Sequence, residues 1–232
     1  MGEKSGSGGA GGRERHIGRR ALLFGGTAVA LGGAALWWRG PGERTPRVPG
    51  AVDYEGARWV AASEANWRRA DRPGDYRVDR VVVHVTQGSL ASAVRAFQDP
   101  GHRAAAHYVV GRDGRVTQMI RELDVAYHAG NREYNERSVG IEHEGFVDRP
   151  QDFTDAMYTA SAELTAGICA RYGIPVDRAH IIGHAEVPGA DHTDPGPHWD
   201  WDRYLRLVRR ARTSVPTPGT GTGSPGTAVA GG

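Results

Sequence analysis

One cysteine, Cys169, stands in the 232 residues, so no intramolecular disulfide can form. Stability must come from an apolar core or from a bound metal. Cys169 lies in an apolar helical pattern with Leu164, Ile168 and Tyr172 and reads as a buried small hydrophobe rather than a nucleophile. Charge of one sign is also lacking: the formal net charge is +2. Residues 1–20 carry Lys4, Arg13, Arg15, Arg19 and Arg20 against Glu3 and Glu14, which is +3, so the remainder is −1. There is no helical stripe of Lys and Arg and no aromatic interleaving, which argues against a nucleic-acid surface. No internal repeat is visible. The hydrophobic fraction of 39% and charged fraction of 24% are those of an ordinary soluble domain.

Long apolar runs are confined to one place. Ala21 to Trp38 (ALLFGGTAVALGGAALWW) carries no charge and follows a Gly-, Ser- and Arg-rich stretch. A basic segment before an apolar one is the pattern of an export signal, and Arg19-Arg20 directly before the run resembles the twin-arginine type. Eighteen apolar residues also reach the lower limit of a membrane span, so a tether through residues 21–38 is the competing reading. Four glycines make the run only mildly hydrophobic and favour the signal. The expected organisation is a signal or anchor over 1–38, a linker over 39–54, one globular domain over 55–212, and a disordered Pro-, Gly- and Thr-rich tail over 213–232. The expected location is exported, extracellular or in the cell envelope, and the expected state a monomer.

Inside the domain the patterns alternate between two periods. Arg80 to Thr86 (RVVVHVT) is a β-branched run read as a buried strand. Ser89 is placed to cap a short helix through about Phe97, which Asp99-Pro100-Gly101 breaks. Ala106 to Val110 and Val116 to Ile120 read as two strands joined by a hairpin turn at Asp113-Gly114. Ser138 to Glu144 (SVGIEHE) alternates, with Gly140, Glu142 and Glu144 on one face and Val139, Ile141 and His143 on the other. Thr154 to Tyr172 is the clearest helix, with Thr154 as N-cap and Gly173 as C-cap. Ala179 to His184 is a short strand, and Trp201 to Ala211 a final amphipathic helix. Strands mixed with helices, including one hairpin, predict a single α/β domain with a central mixed β-sheet flanked by helices.

Three residues have the chemistry of a zinc site. His84 interrupts a run of valines, His184 ends a strand, and Asp194 lies in His-Thr-Asp-Pro-Gly-Pro. Each has a plain alternative: a satisfied core histidine, or a carboxylate that starts a turn. Together, two imidazoles and one carboxylate with a fourth position open are what a catalytic zinc needs.

Longer strings then become recognisable. VVVHVTQGS (81–89), AHYVVGRDGRVTQMI (106–120), AYHAGN (126–131), SVGIEHEG (138–145) and IIGHAEVPGADHTDPGPHWDW (181–201) resemble, in order, segments of the zinc amidases of N-acetylmuramoyl-L-alanine amidase family 2. That family is related to the peptidoglycan recognition proteins. The resemblance covers about residues 55 to 210. It implies an amidase-like fold, Zn2+ held by His84, His184 and Asp194, and hydrolysis of the bond between N-acetylmuramic acid and L-alanine in peptidoglycan or a muropeptide. Glu142 matches the family's catalytic glutamate, able to take a proton from water and pass it to the leaving amine. Glu144 is the reserve candidate.

His192 stands two residues before Asp194, where many members carry lysine. It is placed to donate to the developing oxyanion, an exposed turn histidine being the plainer reading. His128 and Asn131 match a region near the substrate groove and are placed to contact sugar or stem peptide. The alternative for His128 is a loop residue tying down the hairpin. Trp59, Trp67, Trp199 and Trp201 are candidates for sugar stacking or for the core. His107 reads as structural or cleft-lining, and His102, His143, His180 and His198 as structural or solvated. Two other functions compete: a non-catalytic peptidoglycan-binding module of the same fold, and a zinc amidase acting on another amide.

Overall fold

The computed structural model describes residues 45–214. The leader over 1–38 with its tether reading, the first part of the linker and the tail from residue 215 lie outside the described residues. Among the described residues no helix is long and apolar enough to cross a membrane.

In chain order the elements are β1 (Ala57–Trp59), β2 (Trp67–Arg68), β3 (Arg80–Val85), α1 (Leu90–Gln98), β4 (Tyr108–Val110), β5 (Val116–Gln118), β6 (Val125–Ala126), α2 (Arg132–Arg137), β7 (Ser138–His143), α3 (Asp155–Tyr172), β8 (Ile181–Gly183) and α4 (Trp201–Ser214). Six strands form one mixed sheet in the order β1-β5-β4-β7-β3-β8, and β2 pairs with β6 separately. β4 and β5 are the expected antiparallel hairpin, turning at Gly114 with φ +82°. The other pairings in the large sheet are parallel. The mixed sheet flanked by helices is the expected fold class.

β3 lies between two parallel neighbours, β7 and β8. A strand in that position is buried on both faces, which is why it reads as an unbroken valine run. Successive side chains point to opposite faces. Val81, Val83 and Val85 join Val139, Ile141, Ile181 and the residues of α3 and α4 in the main core. Val82 faces the other way and packs with Ala129, Ile182 and Val187. His84 is in phase with Val82, so it emerges on the face that α3 and α4 leave uncovered. On that same side α1 buries Ala93 and Phe97 against Ala106, Val109 and Met119.

The caps form where the sequence puts them. The Ser89 side chain accepts from Ser92 N–H at 3.1 Å, and Thr154 from Met157 N–H at 3.1 Å. Gly173 closes α3 with φ +68°. α3 is buried around most of its circumference, including Leu164, Thr165 and Cys169, because it packs against both the sheet and α4. Burial pushes the Cys169 thiol up to about 12, which agrees with an inert core residue.

Some boundaries differ from expectation. The strand expected over Ala179–His184 is only Ile181–Gly183, because Asp177 accepts from the backbone N–H groups of Ala179 and His180 and turns them away from the sheet. The segment read as linker meets the domain earlier than residue 55. Thr45 N–H donates to Asp71, Arg47 pairs with Asp71 and Asp124, and Asp53 is held by Arg121, Gln118 and Glu122 N–H. Helix α2 was not legible in the sequence; it has six residues and buries none of them.

Candidate metal centre and catalytic cavity

His84, His184 and Asp194 converge from three places: the end of β3, the residue after β8, and the loop before α4. One ligand atom from each lies within 4.8 Å of the others, and all three residues are buried. His84 Nδ1 is 3.4 Å from Asp194 Oδ2, and His184 Nδ1 is 3.2 Å from Asp194 Oδ1. The backbone holds the carboxylate in place: Val85 N–H donates to Oδ2 at 3.3 Å, and Ala185 N–H donates to the Asp194 carbonyl at 2.9 Å. Gly183 permits this approach. A Cβ there would stand 2.5 Å from Pro195 Cδ and push the loop carrying Asp194 away.

Glu142 reaches the same cavity from β7. Its Oε2 is buried and has no hydrogen-bond partner. Burial, and then the charge of Asp194, push its carboxyl up to about 8. Burial works in the same direction on Asp194, but hydrogen bonds from His184 and His84 outweigh it and hold that carboxyl below the usual range. Two imidazoles and one carboxylate thus converge beside the Glu142 carboxyl in one cavity, a donor set of hard and borderline ligands suited to a divalent cation such as zinc. Glu144, the reserve candidate, is engaged elsewhere: its Oε2 accepts from Arg112 N–H at 2.9 Å at the β4–β5 turn.

The cavity is about 550 Å³, the size of a small-molecule cleft. His192 lies on its wall, 58% exposed, with its ring stacked on His184 at 4.1 Å and its nitrogens 3.5 Å from Asp191 and 3.7 Å from Asp194. His128 also borders the cavity, but it is buried and both ring nitrogens are already engaged. Asn131 is not among the lining residues. Its carbonyl oxygen caps α2 by accepting from Tyr134 N–H, and its amide donates to Pro188 O at 3.0 Å, so the structure gives it a structural task in place of the expected substrate contact. Trp199 is core, against Tyr158 and Tyr204, and Trp59, Trp67 and Trp201 do not line the cavity. His107 supports the sheet, accepting from Gly140 N–H at 3.1 Å.

Several lining residues were not anticipated: Gln87, Arg103 and Tyr127. Gln87 and Arg103 are also the two non-glycine residues with positive φ, +50° and +59°, among the described residues. Nothing in the string GHRAAAH marks Arg103 as a cleft residue, because its place depends on how that loop returns over the sheet. His143 lies beneath the site. Its Nδ1–H donates to the His84 carbonyl at 2.9 Å, and its Nε2 meets Ser161 Oγ at 2.7 Å. Ser161 and Thr165 both meet Tyr204 Oη, at 2.8 and 2.7 Å, so a buried polar chain ties β3 to both large helices.

Comparison with known proteins agrees with this geometry. The family model described as N-acetylmuramoyl-L-alanine amidase matches residues 74–197, more than half of the chain. N-acetylmuramoyl-L-alanine amidase A of Achromobacter lyticus is 34% identical in an alignment of 176 residues that covers 68% of this chain and 96% of that protein. Among solved structures, a selenomethionine derivative of AmpD superposes with a TM-score of 0.57 at 28% identity, covering 68% of this chain and 99% of AmpD. The amidase AmiD of E. coli, solved with the substrate anhydro-N-acetylmuramic acid-L-Ala-D-γ-Glu-L-Lys, has a TM-score of 0.51 at 25% identity, covering 60% of this chain and 61% of AmiD.

Proposed function

This chain belongs to the N-acetylmuramoyl-L-alanine amidase family, and from that premise we propose that it is an exported, zinc-dependent hydrolase cleaving the amide between N-acetylmuramic acid and L-alanine in peptidoglycan or muropeptides. The observation that carries the reading is the buried Glu142 Oε2, without a hydrogen-bond partner, in the same cavity as His84, His184 and Asp194. Bound there, zinc would supply Lewis acidity, polarising the amide carbonyl and making water acidic near neutral pH.

The chain's own residues then divide the work. His84, His184 and Asp194 hold the metal. Glu142 takes the proton of the attacking water and returns it to the nitrogen that leaves with L-alanine. A carboxyl whose pKa lies near the working pH can do both. His192, stacked on His184 at the wall, offers a donor to the carbonyl oxygen as it gains charge. The low-dielectric surroundings of His84, His184, Asp194 and Glu142 strengthen the interactions made by these buried groups.

Glu142→Ala is expected to lower turnover by about 10²- to 10⁴-fold while zinc stays bound. Mass spectrometry of digested peptidoglycan reads the result as loss of stem peptides with a free N-terminal L-alanine. Retained cleavage would exclude Glu142 as the proton carrier. The export half of the proposal rests on the Arg19-Arg20 pair before the apolar run. Residues 1–38 fused to a reporter that reaches the envelope only in folded form should export it, and replacing both arginines by lysine should stop it. Export that survives this change would remove the twin-arginine reading.

A further inference from the structure

His128 and Ser138 form a one-way hydrogen-bond relay that ends on a proposed metal ligand. The Ser138 hydroxyl lies 2.5 Å from the Tyr134 carbonyl, which can only accept, so its single proton is committed there. Ser138 Oγ must therefore accept from His128 Nε2, 3.1 Å away. That places the His128 proton on Nε2 and leaves Nδ1 a lone pair. His128 Nδ1 is 2.9 Å from His84 Nε2, so His84 donates through Nε2 and keeps its own lone pair on Nδ1. Nδ1 is the atom that faces Asp194. In the opposite direction the Ser138 proton would have to leave Tyr134, setting two oxygen lone pairs against each other at 2.5 Å.

The surroundings hold the relay rigidly. The His128 ring lies on the backbone of β7, where a Cβ at Gly140 would stand 2.6 Å from its Cγ and Nδ1. Asn135 Oδ1 accepts from the N–H groups of His128 and Ala129 at 3.0 and 2.8 Å, and buried Arg72 donates to the Ser138 carbonyl at 2.7 Å. Helix α2, which buries none of its own residues, supplies the terminal acceptor.

We propose that Ser138 and His128 are positioning residues which fix His84 in the tautomer that presents Nδ1 to the metal. This rests on the zinc reading above. It gives His128 a task inside the protein in place of contact with sugar or peptide. Groups that orient a metal-bound imidazole change metal affinity by about 10- to 100-fold when removed.

The test is zinc affinity of the full chain, measured by competition with a chromophoric chelator, for wild type, Ser138→Ala, His128→Leu and the double variant. Ser138→Ala removes a single oxygen, and melting without zinc checks that each variant is folded. Each single change is expected to weaken zinc by about tenfold or more. The double variant should lose no more than His128→Leu alone, because both changes cut one chain. Imidazole ¹⁵N shifts of the zinc-free wild type should report the Nε2–H form of His84. Unchanged affinity, additive losses or an Nδ1–H tautomer would overturn the proposal. Zinc held by wild type and equally by all three variants sinks this inference alone. A wild type that binds no zinc sinks the metal reading as well.

Discussion

His143 is a histidine that folding keeps neutral. Burial lowers its pKa to about 4, against the ordinary value of 6.5, and its two nitrogens are matched to one acceptor and one hydroxyl. Above pH 6.5 the ring is neutral whether the chain is folded or not. Between 6.5 and 4 the unfolded chain takes up a proton that the folded one refuses, so stability falls as pH falls through that window. The loss approaches about 3 kcal/mol by pH 4. His107 and His128, also held well below 6.5 by burial, add to the slope. Urea unfolding across pH 4 to 7 should show His143→Gln with a shallower dependence, by up to one proton. An unchanged slope would mean that the ring is charged in the fold.

At this scale the sequence was legible where an unusual string carried the residue. The resemblance of the GIE string points to Glu142 over Glu144; in the structure Glu142 lines the cavity and Glu144 accepts from the Arg112 backbone. Ser138 was not legible as part of a relay, because a serine at a strand start has many other uses. The resemblance places Asn131 near the substrate groove; its role as the cap of α2 was not legible, because that helix is too short to show a period.

Among the elements, β3 and α3 were read correctly because period and caps agree. α3 has an N-cap hydroxyl, a left-handed glycine at its end and apolar residues between. Thr154→Ala is expected to cost about 1 kcal/mol, seen as a few degrees in Tm, with zinc affinity unchanged. A loss of zinc with that change would mean that α3 controls the site more directly than its position behind the sheet suggests. The elements that escaped are β1, β2 and β6, of two or three residues each, and α2, of six. Such pieces are too short for a period to show. Tertiary partners create the strands, β2 and β6 by pairing with each other, whereas α2 is a short helix capped locally by Asn131.

For the molecule as a whole, one sheet separates two functions. α3 and α4 cover one face and supply the main core, while the other face carries His84 and the cavity. A metal that binds only the native state stabilises it by mass action, by about 2.7 kcal/mol at a hundredfold excess over Kd. Zinc should therefore raise Tm, a chelator should reverse the rise, and Asp194→Ala should abolish it. A Tm that does not respond to zinc in the wild type would count against a centre formed by folding.

β3 owes its place to two parallel neighbours, β7 and β8, that lie far along the chain, and parallel pairing is slow because distant segments must meet first. His84 and His184 stand 100 positions apart and become neighbours through the pairing of β3 with β8. Of the three donors only His184 and Asp194, ten residues apart, are near each other in sequence, and Val85 N–H on β3 completes the hold on the Asp194 carboxylate. The three donors of the proposed metal site are therefore complete only in the paired sheet, so an ion held by all three would bind the folded chain.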